Sequence, residues 1–155
     1  MSVPFTLLKL LRNGLIGAAL AWAATLPLAT LAAVQPHPAA WVYLFALSVY
    51  SIGAVVCHQL DARSFHLWAH QMPVCARCTG IYAGAALAMI ATLWREPRPG
   101  ARAVHPRWIL GLAMLPALAT LVFEWTTGVT PSNVTRAATG VILGAAAGWL
   151  IREIN

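Results

Sequence analysis

The sequence predicts an all-α protein, a polytopic transmembrane helical bundle of five helices with a short Cys/His-containing segment between the second and the third. Three observations predict this fold. Of the 155 residues, 60% are hydrophobic and only 9% are charged, far fewer than a soluble domain of this size would carry. The apolar residues gather in runs that are long enough to cross or nearly cross a bilayer. All three cysteines fall in one short stretch between two of these runs.

The apolar runs predict the helices in chain order. They cover residues 14–34, 40–57, 79–94, 108–126 and 135–151, and we expect a single integral membrane domain comprising residues 1–155. The third and fifth runs are short for a span, but helix tilt, local bilayer thinning and snorkelling of Arg95 and Arg152 can absorb the mismatch. Four spans with one re-entrant segment are the alternative arrangement.

The first run also resembles a cleaved signal peptide. Lys9 and Arg12 precede it, and small residues stand near its end. Its length favours a retained transmembrane helix instead. Pro27 is tolerated within such a helix because neighbouring helices can satisfy the carbonyl that it frees.

The net charge of +6 comes almost wholly from arginines outside the apolar runs. This distribution is typical of cytoplasmic loops and of contacts with lipid headgroups, so the expected partner is the lipid bilayer of the cell (inner) membrane and not a nucleic acid. With the arginines of the candidate site set aside, the loop from Arg95 to Arg107 is expected to be cytoplasmic and the cysteines to face outward. Lys9 and Arg12 favour the opposite orientation.

Two helices carry stripes of small residues at a spacing of four. These residues are Gly80, Gly84 and Ala88 in the third helix and Gly140, Gly144 and Gly148 in the fifth. Such stripes let helix backbones approach closely. We expect the third and fifth helices to pack against each other, or against a second copy in a homodimer.

The cysteines are the main candidates for chemistry. Cys75 and Cys78 form a C-x-x-C-x-G knuckle, and Cys57 with His58 stands at the end of the second run. Three thiolates and one imidazole are a ligand set for zinc, so the predicted metal ligands are Cys57, His58, Cys75 and Cys78. Because adjacent ligands are sterically awkward, the alternative places His58 beside the site, with water or another residue as fourth ligand. An odd number of cysteines also argues against a complete set of internal disulfides.

The segment that connects Cys57 to the knuckle is expected to form a short helix from Asp61 to His70, with Asp61 near its N-cap. Phe65 and Trp68 would then share a face suited to the membrane interface. His66 and His70 lie at i and i+4 and could bind a metal together, but an interfacial role is the more common one for such a pair.

Glu124 is the only acidic residue within an apolar run, where an ionised carboxylate needs a partner or water. Its candidate partners are Arg136, Arg77 and Arg63. If Glu124 reaches the cysteines, it would orient a ligand, become a fifth ligand or act as a general base. The alternative is a structural ion pair between Glu124 and Arg136 that locks the last two helices together.

Other polar residues complete the candidate site. Arg77 would favour ionised sulfur in the knuckle, and Arg63, next to Ser64, would balance thiolate charge or hold an anionic substrate. Asn133 stands one turn before Arg136. A predicted N-cap, the amide of Asn133 and the guanidinium of Arg136 thus come together at the start of the fifth helix.

Several of these motifs resemble an uncharacterised family of small prokaryotic predicted integral membrane proteins, a domain-of-unknown-function family. They are Cys57-His-Gln59, Arg63-Ser-Phe65, Met72-Pro-Val-Cys-Ala-Arg-Cys-Thr-Gly-Ile-Tyr82 and Ser132-Asn133-x-x-Arg136-x-x-x-Gly140. The resemblance covers most of the chain after the first helix. It implies that Cys57, His58, Arg63, Ser64, Cys75, Arg77 and Cys78 occupy the family's motif positions, whereas His66 and His70 do not. Where the family has an aspartate near the end of the fourth helix, this chain has Glu124. The resemblance implies no activity.

Three functional hypotheses follow. The first is a membrane protein with a zinc-type site, structural if four protein ligands close it and hydrolytic if an open position activates water. The second is a membrane thiol-disulfide oxidoreductase in which Cys75 and Cys78 are the redox pair and Cys57 is the shuttle. The third is a non-catalytic assembly or transport subunit, which the small size and the glycine stripes suggest.

Overall fold

The five apolar runs form five helices, which confirms the predicted helical bundle. The computed structural model describes residues 5–93 and 105–152. Its elements are α1 (Phe5–Val34), α2 (Ala40–Val56), a 3₁₀ turn (Asp61–Arg63), β1 (Ser64–Leu67), β2 (His70–Cys75), α3 (Ala76–Leu93), α4 (Pro106–Thr127) and α5 (Asn133–Arg152). The loop that bears on orientation, from Arg95 onward, lies almost entirely outside the described residues.

Within residues 5–93 and 105–152, three helices are long and apolar enough to cross a membrane. These segments are Thr6–Val34, Arg107–Thr127 and Asn133–Ile151. The second and third helices contribute the shorter apolar segments Ala40–Val56 and Ala76–Ala91. Length and composition thus agree with a polytopic membrane protein whose helices differ in how far they extend.

α1 contacts α2 and α3 at different levels. With 30 residues it is about 45 Å long, more than the roughly 30 Å of a bilayer's hydrocarbon core. Leu26 and Ala29, in its C-terminal half, are buried with Val49 of α2. Nearer the middle of α1, the ring of Trp22 meets that of Tyr82 in α3 edge to face, with 5.9 Å between centroids. The cysteine segment lies where α2 ends and α3 begins.

A β-hairpin occupies the segment in which the sequence suggested a short helix. β1 pairs antiparallel with β2, and Leu67 stands opposite His70 in the register. Trp68 and Ala69 form the two-residue turn between the strands, with φ of 52° and 62°. Positive φ at both turn positions matches the right-handed twist of the flanking strands.

Tertiary burial explains why this segment is not a helix. β2 packs against α1 and α2, and its residues Met72, Pro73 and Val74 are buried. The extended chain of β2 places Met72 and Val74 in the core with Cys57, and β1 pairs with this strand, so Ser64–Leu67 is extended and only Asp61–Arg63 forms a 3₁₀ turn. The expectation of a helix from Asp61 to His70 is therefore wrong.

The glycine stripes of α3 and α5 face each other within the chain. A Cβ added at Gly80 would lie 2.1 Å from the carbonyl oxygen of Ala137, and one at Gly144 would lie 1.9 Å from that of Ile81. The other three glycines of the stripes also approach the opposite backbone closely. Intramolecular packing thus uses both stripes. A homodimer stays a prediction, and it would need a different surface.

Gly144→Ala should destabilise the protein, because the new methyl group would force α3 and α5 apart at a cost of about 1–3 kcal/mol. Gly111→Ala in α4 is the matched control, since a Cβ there meets nothing within 4 Å. Alanine is also the better helix former by roughly 1 kcal/mol, so the control should be neutral or stabilising. Thermal unfolding in detergent, followed by tryptophan fluorescence, measures both. Equal midpoints for the two variants would contradict the close approach.

Candidate metal centre

Three sulfur atoms come together at the junction of α2, β2 and α3. The Sγ atoms of Cys57, Cys75 and Cys78 all lie within 4.8 Å of one another. A tetrahedral zinc with bonds of about 2.3 Å to sulfur holds its ligands roughly 3.8 Å apart. The three thiols therefore fit a single metal ion with a small inward adjustment, and the cluster predicted from the sequence is present.

Each cysteine is held by a different element. Cys57 is the C-cap of α2, in extended conformation and only 8% exposed. Cys75 ends β2, and Cys78 lies in the first turn of α3. The backbone N–H of Cys75 donates to the Sγ of Cys57 at 3.2 Å, so the strand also orients the first sulfur.

The electrostatic environment favours ionised sulfur at Cys75. Hydrogen bonds from the Cys78 thiol, and further ones from the Cys78 and Arg77 backbones and the Cys57 thiol, lower the pKa of Cys75 despite its partial burial. The positive end of α3 acts in the same direction. Thiolate is the form that binds metal and that attacks disulfides, so this environment suits either chemistry.

Gln59 joins the two chain segments that carry Cys57 and Cys75. Its Nε2 donates to the carbonyl oxygens of Tyr50 at 2.9 Å and Pro73 at 2.6 Å. The backbone carbonyl of Gln59 accepts from the Nε2 of Gln71 at 2.6 Å. The sequence motif contained Gln59 but no role was predicted for it, because the three partners lie in α2 and in the hairpin and become neighbours only in the fold.

Glu124 lies between two arginines from separate elements. Its Oε2 accepts a hydrogen bond from Nη2 of Arg136 at 2.7 Å, and its Oε1 forms an ion pair with Nη2 of Arg63, also at 2.7 Å. The Glu124 and Arg136 side chains are only 7% and 3% exposed. The predicted ion pair between Glu124 and Arg136 is thus present, and Arg63 joins it from the turn before the hairpin.

The remaining polar residues of the prediction make hydrogen bonds at the same end of the bundle. Asn133, the first residue of α5, donates from Nδ2 to the carbonyl oxygen of Ser64 at 2.9 Å. Arg77 extends from α3 to α4, where its Nη2 donates to Oγ1 of Thr120 at 3.1 Å. The N-cap role predicted at this end of α5 falls to Ser132, whose Oγ accepts from the N–H of Thr135 at 3.1 Å.

No histidine belongs to the group of potential metal ligands that the described residues bring together. His58 is exposed, and among the described residues the group that could hold an ion contains cysteines alone. His66 pairs with Asp61 at 2.8 Å. His66 stands opposite Gln71 and His70 opposite Leu67 in the hairpin register, so the two histidines are on opposite faces of the strands and cannot share an ion there.

Residues 57–150 match the sequence profile of a family described as "Predicted membrane protein (DUF2085)". The chain belongs to this family. The matched region begins at Cys57 and contains the three cysteines, the hairpin and the arginines that contact Glu124. Membership of this family confirms the resemblance seen in the motifs and agrees with the apolar helices of the fold.

Two archaeal proteins are similar to parts of the chain. The uncharacterised protein MJ1492 of Methanocaldococcus jannaschii is 33% identical over 76 residues, which are 49% of this chain and 47% of that protein. An uncharacterised protein of Methanothermobacter thermautotrophicus is 53% identical over 30 residues, 19% of this chain and 27% of that protein. The matches thus span about half of one relative and about a quarter of the other. No solved structure matches the chain.

Gln59→Ala should loosen the hairpin, because it removes the two side-chain hydrogen bonds, to the carbonyl oxygens of Tyr50 and Pro73, that join α2 to β2. Hydrogen–deuterium exchange should then become faster at residues 70–75 than in the wild type. Gln35→Ala, on the exposed loop after α1, is the control and should leave exchange there unchanged. Unchanged protection of β2 in Gln59→Ala would contradict this role.

Glu124→Gln should destabilise the protein by about 3–5 kcal/mol, because it leaves the buried Arg136 without its counter-charge. The double variant Glu124→Leu with Arg136→Leu removes both buried charges and should recover much of the loss. Arg63→Gln should have a smaller effect, since that side chain is 41% exposed. Thermal unfolding in detergent compares the variants. An equal loss in the single and double variants would show that the ion pair is not the cause.

Proposed function

We propose that this protein binds one zinc ion through Cys57, Cys75 and Cys78 at one face of the cell membrane. The observation that carries the proposal is the convergence of three sulfur atoms within 4.8 Å of one another, at the end of α2, the end of β2 and the start of α3. Thiolate sulfur is a preferred zinc ligand, and three such ligands leave one tetrahedral position for a fourth.

The position of the cluster in the bundle supports a site at the membrane surface. Arg77 reaches Thr120 near the C-terminal end of α4, and Arg136 at the N-terminal end of α5 binds Glu124. α3 therefore begins at the end of the bundle where α4 finishes and α5 starts. Polar and charged side chains gather at this end, as expected where apolar helices leave the hydrocarbon region.

The structural form of the zinc site has more support than the hydrolytic form. Both carboxylate oxygens of Glu124 are within 2.7 Å of a guanidinium nitrogen, so the side chain is held as the anion of an ion pair. A general base needs a free oxygen directed at the water that it deprotonates. The zinc would then hold α2, β2 and α3 together, with His58 or a water molecule as the fourth ligand.

A thiol-disulfide oxidoreductase is the second candidate. It is favoured by the lowered pKa of Cys75 and by the proximity of all three sulfurs, which would allow Cys57 to exchange with the Cys75–Cys78 pair. A chain with three cysteines supplies one pair and one shuttle but no second shuttle. Metal binding gives all three thiols a role, and we therefore rank the zinc site above the redox site.

Elemental mass spectrometry on protein purified without chelator is the decisive measurement. We expect about one zinc per chain in the wild type and none in Cys57→Ser or Cys75→Ser, because two sulfur ligands hold the ion too weakly. Little bound metal in the wild type, together with free thiols, would refute a zinc site. A Cys75–Cys78 disulfide that forms reversibly under oxidising conditions would then support the redox candidate.

The same measurement assigns the fourth ligand. His58→Asn is compared with His66→Asn, a control at an exposed histidine on the hairpin. If His58 binds zinc, its variant should lose metal to a competing chelator sooner, while the control behaves as the wild type. Equal retention in both would place water or another group in the fourth position.

A further inference from the structure

We propose that Arg63, supported by Arg136 and Arg77, forms a binding site for a phosphate group. The site goes beyond the zinc proposal and does not depend on it. It lies at the end of the bundle where the 3₁₀ turn, α4 and the start of α5 meet around Glu124. Guanidinium groups bind phosphate oxygens through paired N–H donors, which gives both charge and geometric fit.

The charges at this site do not balance. The guanidinium groups of Arg63 and Arg136 approach from different elements, and Glu124 is the one carboxylate that the described residues place between them. Arg77 is connected to the others through Thr120, one helical turn before Glu124 on the same face of α4. Excess positive charge beside apolar helices is costly unless an anion or water neutralises it. A bound phosphate would supply that negative charge.

Some of the hydrogen-bond donors at this site lack a well-aligned acceptor. Arg63 meets Oε1 of Glu124 at 2.7 Å as an ion pair without the alignment of a good hydrogen bond. Nε of Arg77 is buried and has no hydrogen-bond partner among the described residues. Arg136, by contrast, donates from Nε to the carbonyl of Pro131 at 3.1 Å and from Nη2 to Glu124. Arg136 is thus fixed in place, whereas Arg63 keeps donors for a ligand.

Exposure identifies the side from which the anion would approach. The Arg63 side chain is 41% exposed, whereas Glu124 and Arg136 are almost fully buried behind it. Glu124 holds the inner edge of Arg63, so its outer edge faces the surface. Since the apolar helices end at this level, a phosphate could come from a lipid headgroup or from solution. Guanidinium groups bind either phosphate in the same way, and the two arms of the experiment distinguish a lipid headgroup from a soluble phosphate.

The first arm uses inorganic phosphate and the full chain as purified, in a nonionic detergent that contains no phosphate. Calorimetric titration should show saturable binding that chloride at the same ionic strength does not reproduce. Arg63→Gln should weaken it about tenfold or more, because a charge-assisted pair of hydrogen bonds is lost. Arg63→Lys should weaken it less, and Arg107→Gln, an exposed arginine at the other end of α4, should leave it unchanged.

The second arm uses nanodiscs of phosphatidylcholine mixed with phosphatidylglycerol, followed by native mass spectrometry of lipids that stay bound. Retained phosphatidylglycerol that is lost in Arg63→Gln but kept in Arg107→Gln would identify a lipid headgroup as the source. Binding of inorganic phosphate with no such lipid would identify a soluble phosphate.

The proposal is overturned if wild-type protein shows neither saturable phosphate binding nor lipid retention that depends on Arg63. It is also overturned if Arg107→Gln reduces binding as much as Arg63→Gln, since the effect would then follow net charge alone. Both readouts are independent of zinc content, which is measured separately on the same samples. Failure of the phosphate site and failure of the zinc site therefore remain distinguishable.

Discussion

The architecture around the site depends on one buried carboxylate. Glu124 stands near the end of an apolar helix, and its charge is tolerable there because Arg136 and Arg63 each lie 2.7 Å from one of its oxygens. These contacts connect α4, α5 and the turn that precedes the hairpin. The hydrogen bond from Asn133 to Ser64 adds a second link between α5 and β1. The helical bundle thereby determines where the hairpin begins.

Close helix packing then determines where the cysteines lie. α3 can approach α5 because glycines remove side chains from the contact, and this sets the position of Cys78 in the first turn of α3. On the other side, Gln59 holds β2 against α2 and so brings Cys75 to Cys57. Sulfur ligands from three elements meet because two independent sets of contacts position the elements on which they stand.

The end of the bundle combines two kinds of chemistry. The sulfur cluster would hold a cation, and the arginines around Glu124 carry excess positive charge that suits an anion. Arg77 belongs to both, since its backbone lies within the C-x-x-C knuckle and its side chain reaches Thr120 of α4. The family's motif residues gather at this end, which is where we place its function.

The sequence by itself determined the class of protein, the five helices and the clustering of three thiols, because long apolar runs and C-x-x-C spacing are local patterns. It also predicted the pair of Glu124 with Arg136, since a carboxylate in an apolar run requires a partner. The tertiary structure alone decided that the segment after Cys57 is a hairpin, because burial of Met72 and Val74 against α1 and α2 outweighs local preference. It alone showed the role of Gln59, whose partners become neighbours only when the hairpin packs against α2.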